Sequence, residues 1–168
     1  TDTDGNKSTA TIKVTVVDKT PPVFSNCPTK ISVSAEIGKA FALVPWTAPT
    51  ASDNCTVTVK STNNPNDKFN IGTKVVTYTA TDGAGNTTTC TFEVEVLDKE
   101  NPTIDCKDLS VDATAGLCGK TITTLQLPTV KDNSGKTPTI VSSNGIPANN
   151  FYPVGKTNVT FTVSDDAG

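Results

Sequence analysis

"TATDGAGNTTTCTFEVEVLDK", residues 79–99, carries two alternating runs separated by a turn-forming "DGAGN" at 82–86. Before the turn Val76, Tyr78 and Ala80 alternate with polar residues, and after it Phe92, Val94 and Val96 do the same. A period of two with polar residues between predicts strands with one buried face. The chain opens with a copy of this stretch. "TDTDGNKSTATIKVTVVDK" at 1–19 matches 81–99 at ten of nineteen positions without a gap, including Asp2/Asp82, Asn6/Asn86, Val14/Val94 and Val16/Val96. That is an internal repeat with a period near 80.

A third copy follows in the same order. "ENPTIDC" after Lys99 echoes "TPPVFSNC" after Lys19, "LPTVKDNS" at 127–134 echoes "APTASDNC" at 48–55, and "YPVGKTNVTFTVSDDAG" at 152–168 echoes "FNIGTKVVTYTATDGAG" at 69–85. The expected organisation is the tail of one unit at 1–18, a complete unit at 19–99, and a further unit at 100–168 that lacks its last strand. Such a chain reads as an excerpt from a longer polypeptide, with no apolar run of about 18 residues that would insert in a membrane.

Further alternation at Ile31, Val33 and Ala35 recurs at Leu109, Val111 and Ala113, and the pattern at Ile12, Val14 and Val16 predicts a strand there too. Turn chemistry at 36–40, 47–54, 63–67 and 70–73 separates the runs. Strands are expected near 30–36, 41–46, 55–62, 67–70, 74–82 and 89–98, with counterparts in the third copy. The fold class predicted is all-β: tandem immunoglobulin-like β-sandwiches of Greek-key type, stacked end to end as a rod. Trp46, the only tryptophan, is expected on a strand in the inter-sheet core, with Leu125 in its place in the third copy; stacking on a sugar is the sharper alternative.

Composition narrows function. The chain has 14 lysines, no arginine, no histidine and a formal charge of −3. Without arginine forks or a basic stripe, nucleic acid is not an expected partner. Without histidine, the commonest general base and transition-metal ligand is missing, which speaks against catalytic triads and zinc sites.

The series "PPVFSNCP", "APTASDN", "IGTKVVTYTATDGAGNTTTCTFEVEV" and "DKENPTIDC" resembles the hyalin repeat, or HYR domain, an immunoglobulin-like module of extracellular and cell-surface proteins. The likeness covers essentially the whole chain and is most specific from Gly72 to Val96. Asn70 departs from it, standing where Pro153 stands in the third copy. The resemblance implies an adhesion or spacer role without catalysis. Short linkers, "DKTPP" at 18–22 and "DKENP" at 98–102, would be stiffened by Pro21, Pro22 and Pro102.

Five cysteines without histidine point to an oxidising compartment and disulfides. Cys27 precedes the first strand and Cys90 opens the last. Parallel first and last strands, as in immunoglobulin-like sandwiches, would start both sulfurs at one pole, and Cys27–Cys90 is also the pair the family resemblance implies. Cys55 and Cys118 could instead be free, pair with each other across the junction, or displace that choice through Cys55–Cys90 and Cys106–Cys118, and these alternatives stay open. Cys106 is the counterpart of Cys27, whereas Ala10 stands where Cys90 recurs.

Acidic residues gather in the segments that should meet at each junction: Asp18, Asp53 and Asp82 in the middle unit, and Asp98, Asp132 and Asp165 in the next. Three segments converging would supply the oxygens that Ca²⁺ prefers. The competing explanation is that Asp, Asn and Gly occur there to make turns; no EF-hand loop is present. Asn-x-Ser/Thr triplets start at Asn6, Asn54, Asn86 and Asn158. A carboxylate pair such as Asp53 and Asp82 could serve a glycosidase only in a cleft with aromatic walls, and aromatics are 5% of the chain. The expected function is therefore a non-catalytic stalk or fibre segment of a large secreted or surface-attached adhesin, whose partners are neighbouring repeats. The alternatives are a module that recognises an extracellular protein or glycan through its loops, or an accessory domain of a secreted enzyme.

Overall fold

The computed structural model describes residues 3–5 and 7–167. Asp2 and Asn6, the first residue of one Asn-x-Ser/Thr triplet, lie outside the described residues. All regular structure is strand, in this order: β1 (Val23–Ser25), β2 (Lys30–Ser34), β3 (Phe41–Leu43), β4 (Thr50–Ser52), β5 (Val57–Ser61), β6 (Lys68–Asn70), β7 (Gly72–Asp82), β8 (Thr87–Leu97), β9 (Thr103–Asp105), β10 (Gly119–Thr121), β11 (Thr129–Lys131), β12 (Thr139–Asn144), β13 (Phe151–Pro153) and β14 (Thr160–Ser164). Every ladder among the described residues lies within 23–97 or within 103–164.

The "TATDGAGNTTTCTFEVEVLDK" stretch forms the centre of the first segment. β7 and β8 are eleven residues each and pair antiparallel from Gly72↔Val96 to Thr81↔Thr87. β5 adds antiparallel to the free edge of β7, and β2 adds parallel to β8, with Ile31 beside Val94 and Val33 beside Val96. Because side chains alternate across a strand, one face of this four-stranded sheet collects Val76, Tyr78, Cys90, Phe92, Val94 and Val96, all buried. Ala42 of β3, Phe69 of β6 and Val44 close the core from the opposite layer. β1 and β4 form a third ladder. The result is a sandwich with its core between the sheets.

Trp46 lies just beyond β3, not on it. Its ring packs edge-on against Phe69 (5.9 Å) and Phe92 (5.7 Å), and its Nε1 donates a hydrogen bond to the Tyr78 hydroxyl at 2.9 Å. The indole is thus committed to the core, which accounts for the residue without a sugar.

The second segment repeats the small ladders: β9 with β11 as β1 with β4, β10 with β13 as β3 with β6, and β12 with β14 as β5 with β7. Gly72, at the start of β7, and its counterpart Gly155, in the bend that precedes β14, take nearly the same positive φ, 117° and 121°, a conformation that L side chains rarely adopt.

Two expected strands do not form. Residues 109–113 carry the same alternation as β2 but are not in a strand, and Leu109 and Val111 are half exposed. Nor are residues 12–16, where Ile12, Val14 and Val16 are 88%, 80% and 93% exposed. Both absences have one cause. A strand exists only through its ladder; β2 draws its ladder from β8 alone, and neither residues 109–113 nor residues 12–16, themselves the counterpart of part of β8, join a ladder among the described residues. In the other direction, β1, β4, β9 and β11 are three-residue strands outside the stretches named as strands from sequence, and β4 falls within the 47–54 stretch read as turn.

Candidate functional site at the junctions

Each linker begins with an aspartate that folds back on itself. Thr20 N donates to Asp18 Oδ1 at 2.9 Å, and Glu100 N donates to Asp98 Oδ1 at 3.2 Å. The loops that follow β4 and β11 do likewise: Cys55 N donates to Asp53 Oδ2 at 3.1 Å and Ser134 N to Asp132 Oδ2 at 2.8 Å. Ala167 N donates to Asp165 Oδ1 at 2.9 Å. These are turns closed by a side-chain carboxylate, the role for which Asp is selected in loops. Each uses one oxygen of its carboxylate.

The turns bring the carboxylates together. One ligand atom each from Asp98, Asp132 and Asp165 lies within 4.8 Å of the others, from three separate segments. At the preceding linker the corresponding set is Asp18, Asp53 and Cys55. Asp82, the positional counterpart of Asp165, is 6% exposed and turns its oxygens into its own loop. Its Oδ1 accepts from Ala84 N (2.9 Å) and Asn86 N (2.8 Å), and its Oδ2 from Asn86 Nδ2 (2.7 Å). Burial pushes the Asp82 carboxyl up, but these hydrogen bonds outweigh it and hold the group below its ordinary value. The same Asn86 amide reaches the carbonyls of Asp18 and Thr20 at 3.4 Å, tying the turn to the linker. A glycan on Asn86 would occupy that nitrogen, whereas Asn54 and Asn158 are exposed.

The two clusters differ in chemistry. Hydrogen bonding to Asp18, then burial, then the charges of Asp18, Asp53 and Asp82 raise the Cys55 thiol, so it stays protonated and serves as a donor. Asp18 is lowered by its backbone bond from Thr20 and by the thiol. A neutral S–H thus relieves the first cluster from within. In the second, Ser134 stands in the place of Cys55. Burial raises the Asp132 carboxyl, yet bonds from the Ser134 side chain and backbone and from the Asn133 backbone bring it below its ordinary value. Asp132 Oδ1 and Asn133 Oδ1 are nonetheless buried without a hydrogen-bond partner. Three carboxylates, one of them with an orphan oxygen, and one orphan amide oxygen beside them are a donor set of hard oxygens, which suits Ca²⁺ and does not suit a soft metal.

Contacts from the first segment reach this second cluster. Gly38 N donates to Glu100 Oε2 at 2.7 Å, and Asn133 Nδ2 donates to the Lys39 carbonyl at 3.1 Å. The sequence does not single out the 36–39 turn as part of a junction. Its only signal is Gly38, which takes a positive φ of 70°.

Cys27 and Cys90 are joined by a disulfide with a Cα–Cα distance of 5.9 Å, linking the lead-in to β2 with β8. Cys55, Cys106 and Cys118 are free and exposed. No helix among the described residues is long and apolar enough to cross a membrane.

Comparison with known proteins agrees with the repeat. Residues 17–96 and 97–168 each match the HYR domain. The chain is 34% identical to hyalin of Strongylocentrotus purpuratus over 94% of its length and 36% identical to hyalin of Lytechinus variegatus over 99%. It spans only 13% and 32% of those two proteins. It is also 36% identical, over 57% of its length, to the serine-rich adhesin for platelets of Staphylococcus aureus strain MRSA252, of which it spans 8%. Two consecutive matches, a shared strand order and a disulfide suited to an oxidising compartment agree: the chain belongs to the HYR domain family and is an extracellular or cell-surface, adhesion-related repeat module.

Proposed function

We propose that this chain is a non-catalytic spacer segment of a surface adhesin or extracellular fibre, in which residues 19–99 form one complete repeat, 100–168 the next, and 1–18 the tail of the one before. The observation that carries the reading is the recurrence of one junction: Asp18 and Asp53 beside one linker, Asp98 and Asp132 at the equivalent places beside the next. A junction that recurs with the repeat propagates one geometry along an array, as a stalk requires. Within 23–97 the exposed large apolar residues Val23, Ile37, Leu43, Val59, Val75 and Leu97 fall singly on different elements. Scattered apolar residues of this kind do not make a recognition patch. Small-angle scattering on the 168-residue chain tests the arrangement. An elongated particle, two sandwiches long and one wide, is expected, and side-by-side packing would overturn the stalk.

Asp98, Asp132 and Asp165 hold a hard cation of the Ca²⁺ type in this reading, with Asn133 Oδ1 as a further oxygen. The ion would neutralise the carboxylates and lock the 36–39 turn against the next repeat. Asp18, Asp53 and Asp82 are the weaker set, because a thiol replaces one oxygen and Asp82 is already satisfied. Titration calorimetry with Ca²⁺ should give one site per chain and a raised melting temperature, both lost in Asp132→Ala. No heat at millimolar Ca²⁺ would remove the ion from the scheme while leaving the spacer role standing.

A further inference from the structure

Asn144 and Gly145 form the only Asn-Gly pair in the chain. Asn144 is the last residue of β12, where it pairs with Thr160 of β14, and Gly145 lies one residue past the strand with a positive φ of 87°. Both residues are exposed. The main-chain nitrogen of Gly145 donates a hydrogen bond to Asn144 Oδ1 at 2.8 Å, so the carboxamide is folded back over the peptide bond that follows it. The surroundings require glycine here, because a Cβ at 145 would run into the carbonyl oxygen of Asn158. No side chain at 145 therefore shields the nitrogen that lies against the carboxamide.

We propose that Asn144 is a site of spontaneous covalent modification in the folded chain, converted through a cyclic imide to isoaspartate and aspartate. The Gly145 nitrogen gives its proton to water or hydroxide and attacks Asn144 Cγ. An N–Cγ bond forms, the Cγ–Nδ2 bond breaks, and Nδ2 takes up a proton and leaves as ammonia. Water then opens the five-membered ring. Addition at Cγ gives aspartate, and addition at the main-chain carbonyl of residue 144 gives isoaspartate. The balance needs water alone. Holding the two reacting groups in contact replaces a search over rotamers by a near-attack geometry.

Other asparagines are held back from the same reaction. Asn133 is followed by the small Ser134, but its Nδ2 donates to the Lys39 carbonyl at 3.1 Å. The Nδ2 of Asn86 donates to Asp82 Oδ2 at 2.7 Å. Loss of ammonia from either residue would break a bond that the fold uses, whereas Asn144 spends its carboxamide oxygen on the very nitrogen that attacks it.

The product carries a negative charge where Asn144 carries none. In the isoaspartyl form the main chain also gains a methylene opposite Thr160, at the end of the β12–β14 ladder. Strand pairing has a fixed repeat, so an added backbone atom breaks the last pair of that ladder. An extracellular chain would accumulate this change irreversibly with age. The site stands whether or not the module is a spacer and whether or not the junction binds a cation.

The 168-residue chain, aged at physiological temperature and neutral pH and then mapped by peptide mass spectrometry, tests this. Residue 144 should convert ahead of every other asparagine, with isoaspartate the larger product. The rate should rise about tenfold per pH unit, as attack by a deprotonated nitrogen requires. Asn144→Gln, which would have to close a larger ring, should remove the isoaspartate. In the folded chain the site should react at least as fast as in the same chain unfolded in urea, since the fold already holds the reacting groups together. Conversion of Asn133 or Asn86 with Asn144 intact, an unchanged isoaspartate yield in Asn144→Gln, or a reaction roughly tenfold faster in the unfolded chain would each overturn the proposal.

Discussion

Residues 23–97 and 103–164 share ladders, glycines and turn aspartates, yet they are unequal as folded objects. In the first, β7 runs eleven residues between two partners, and its inward side chains are buried. In the second, the equivalent β14 runs five residues with the single partner β12. The stretch equivalent to β2 forms no strand, and Leu109, Val111, Leu127 and Val154 are all more than half exposed or close to it. Among the described residues 103–164 pairs with no counterpart of β8, and both ladders that β8 makes, with β2 and with β7, have no equivalent there. A central strand contributes hydrogen bonds to both neighbours and half of one core face, so a sandwich without it is open instead of merely smaller.

Truncating the central strand sharpens that contrast most. Phe92 is buried against Trp46 and stacked on Tyr78, and Phe92→Ala should cost about 3–5 kcal/mol. Phe161, the positional counterpart of Tyr78, is only half-buried beside an open cleft, so Phe161→Ala should cost clearly less. Urea unfolding followed by hydrogen exchange in each segment separates the two. Equal losses would mean that the cleft is not open in solution.

The disulfide comes next. Cys27–Cys90 spans 63 residues of the first segment, and in the chain-entropy description such a loop contributes about 4 kcal/mol. Reduction, or Cys27→Ala with Cys90→Ala, should lower the stability of 23–97 by up to that amount and leave 103–164 unchanged, because Cys106 is free. Loss of protection in both segments would show that they unfold as one unit.

How much of the fold is legible in the sequence depends on whether a signal is local. Val76, Tyr78, Phe92 and Val94 announce buried strands by their own spacing, because the pleat imposes a period of two. The same spacing at Leu109, Val111 and Ala113 and at Ile12, Val14 and Val16 is equally clear, yet it produces no strand: alternation marks a face to be buried, and only a partner buries it. The short strands β1 and β4 are illegible for the opposite reason, since three residues such as "TAS" at 50–52 show no period and sit among turn formers. The acidic positions can be picked out by the 80-residue repeat. That Asp82 spends its oxygens on Ala84 and Asn86 while Asp132 keeps one orphaned depends on loop geometry that composition does not encode.

The smallest effect is confined to acid. Asp82 is held below its ordinary value in the folded chain, so its ionised form stabilises the fold above the unfolded pKa of about 3.9. That contribution is lost as pH falls through the lower folded value. Asp132 is shifted in the same direction, but its two oxygens are unequally served: Oδ2 accepts from Ser134 N, and Oδ1 accepts from nothing. Substituting Asn keeps the shape and removes the charge. Asp82→Asn should therefore flatten the acid limb of the stability curve for 23–97 and lower its plateau at neutral pH. Asp132→Asn should cost 103–164 less, because an amide can satisfy an orphan site that the carboxylate leaves empty. Urea midpoints measured from about pH 2 to 7 for both variants decide the matter. A larger neutral-pH loss in Asp132→Asn than in Asp82→Asn would show that the second cluster, not the closed turn of the first, is the better satisfied of the two.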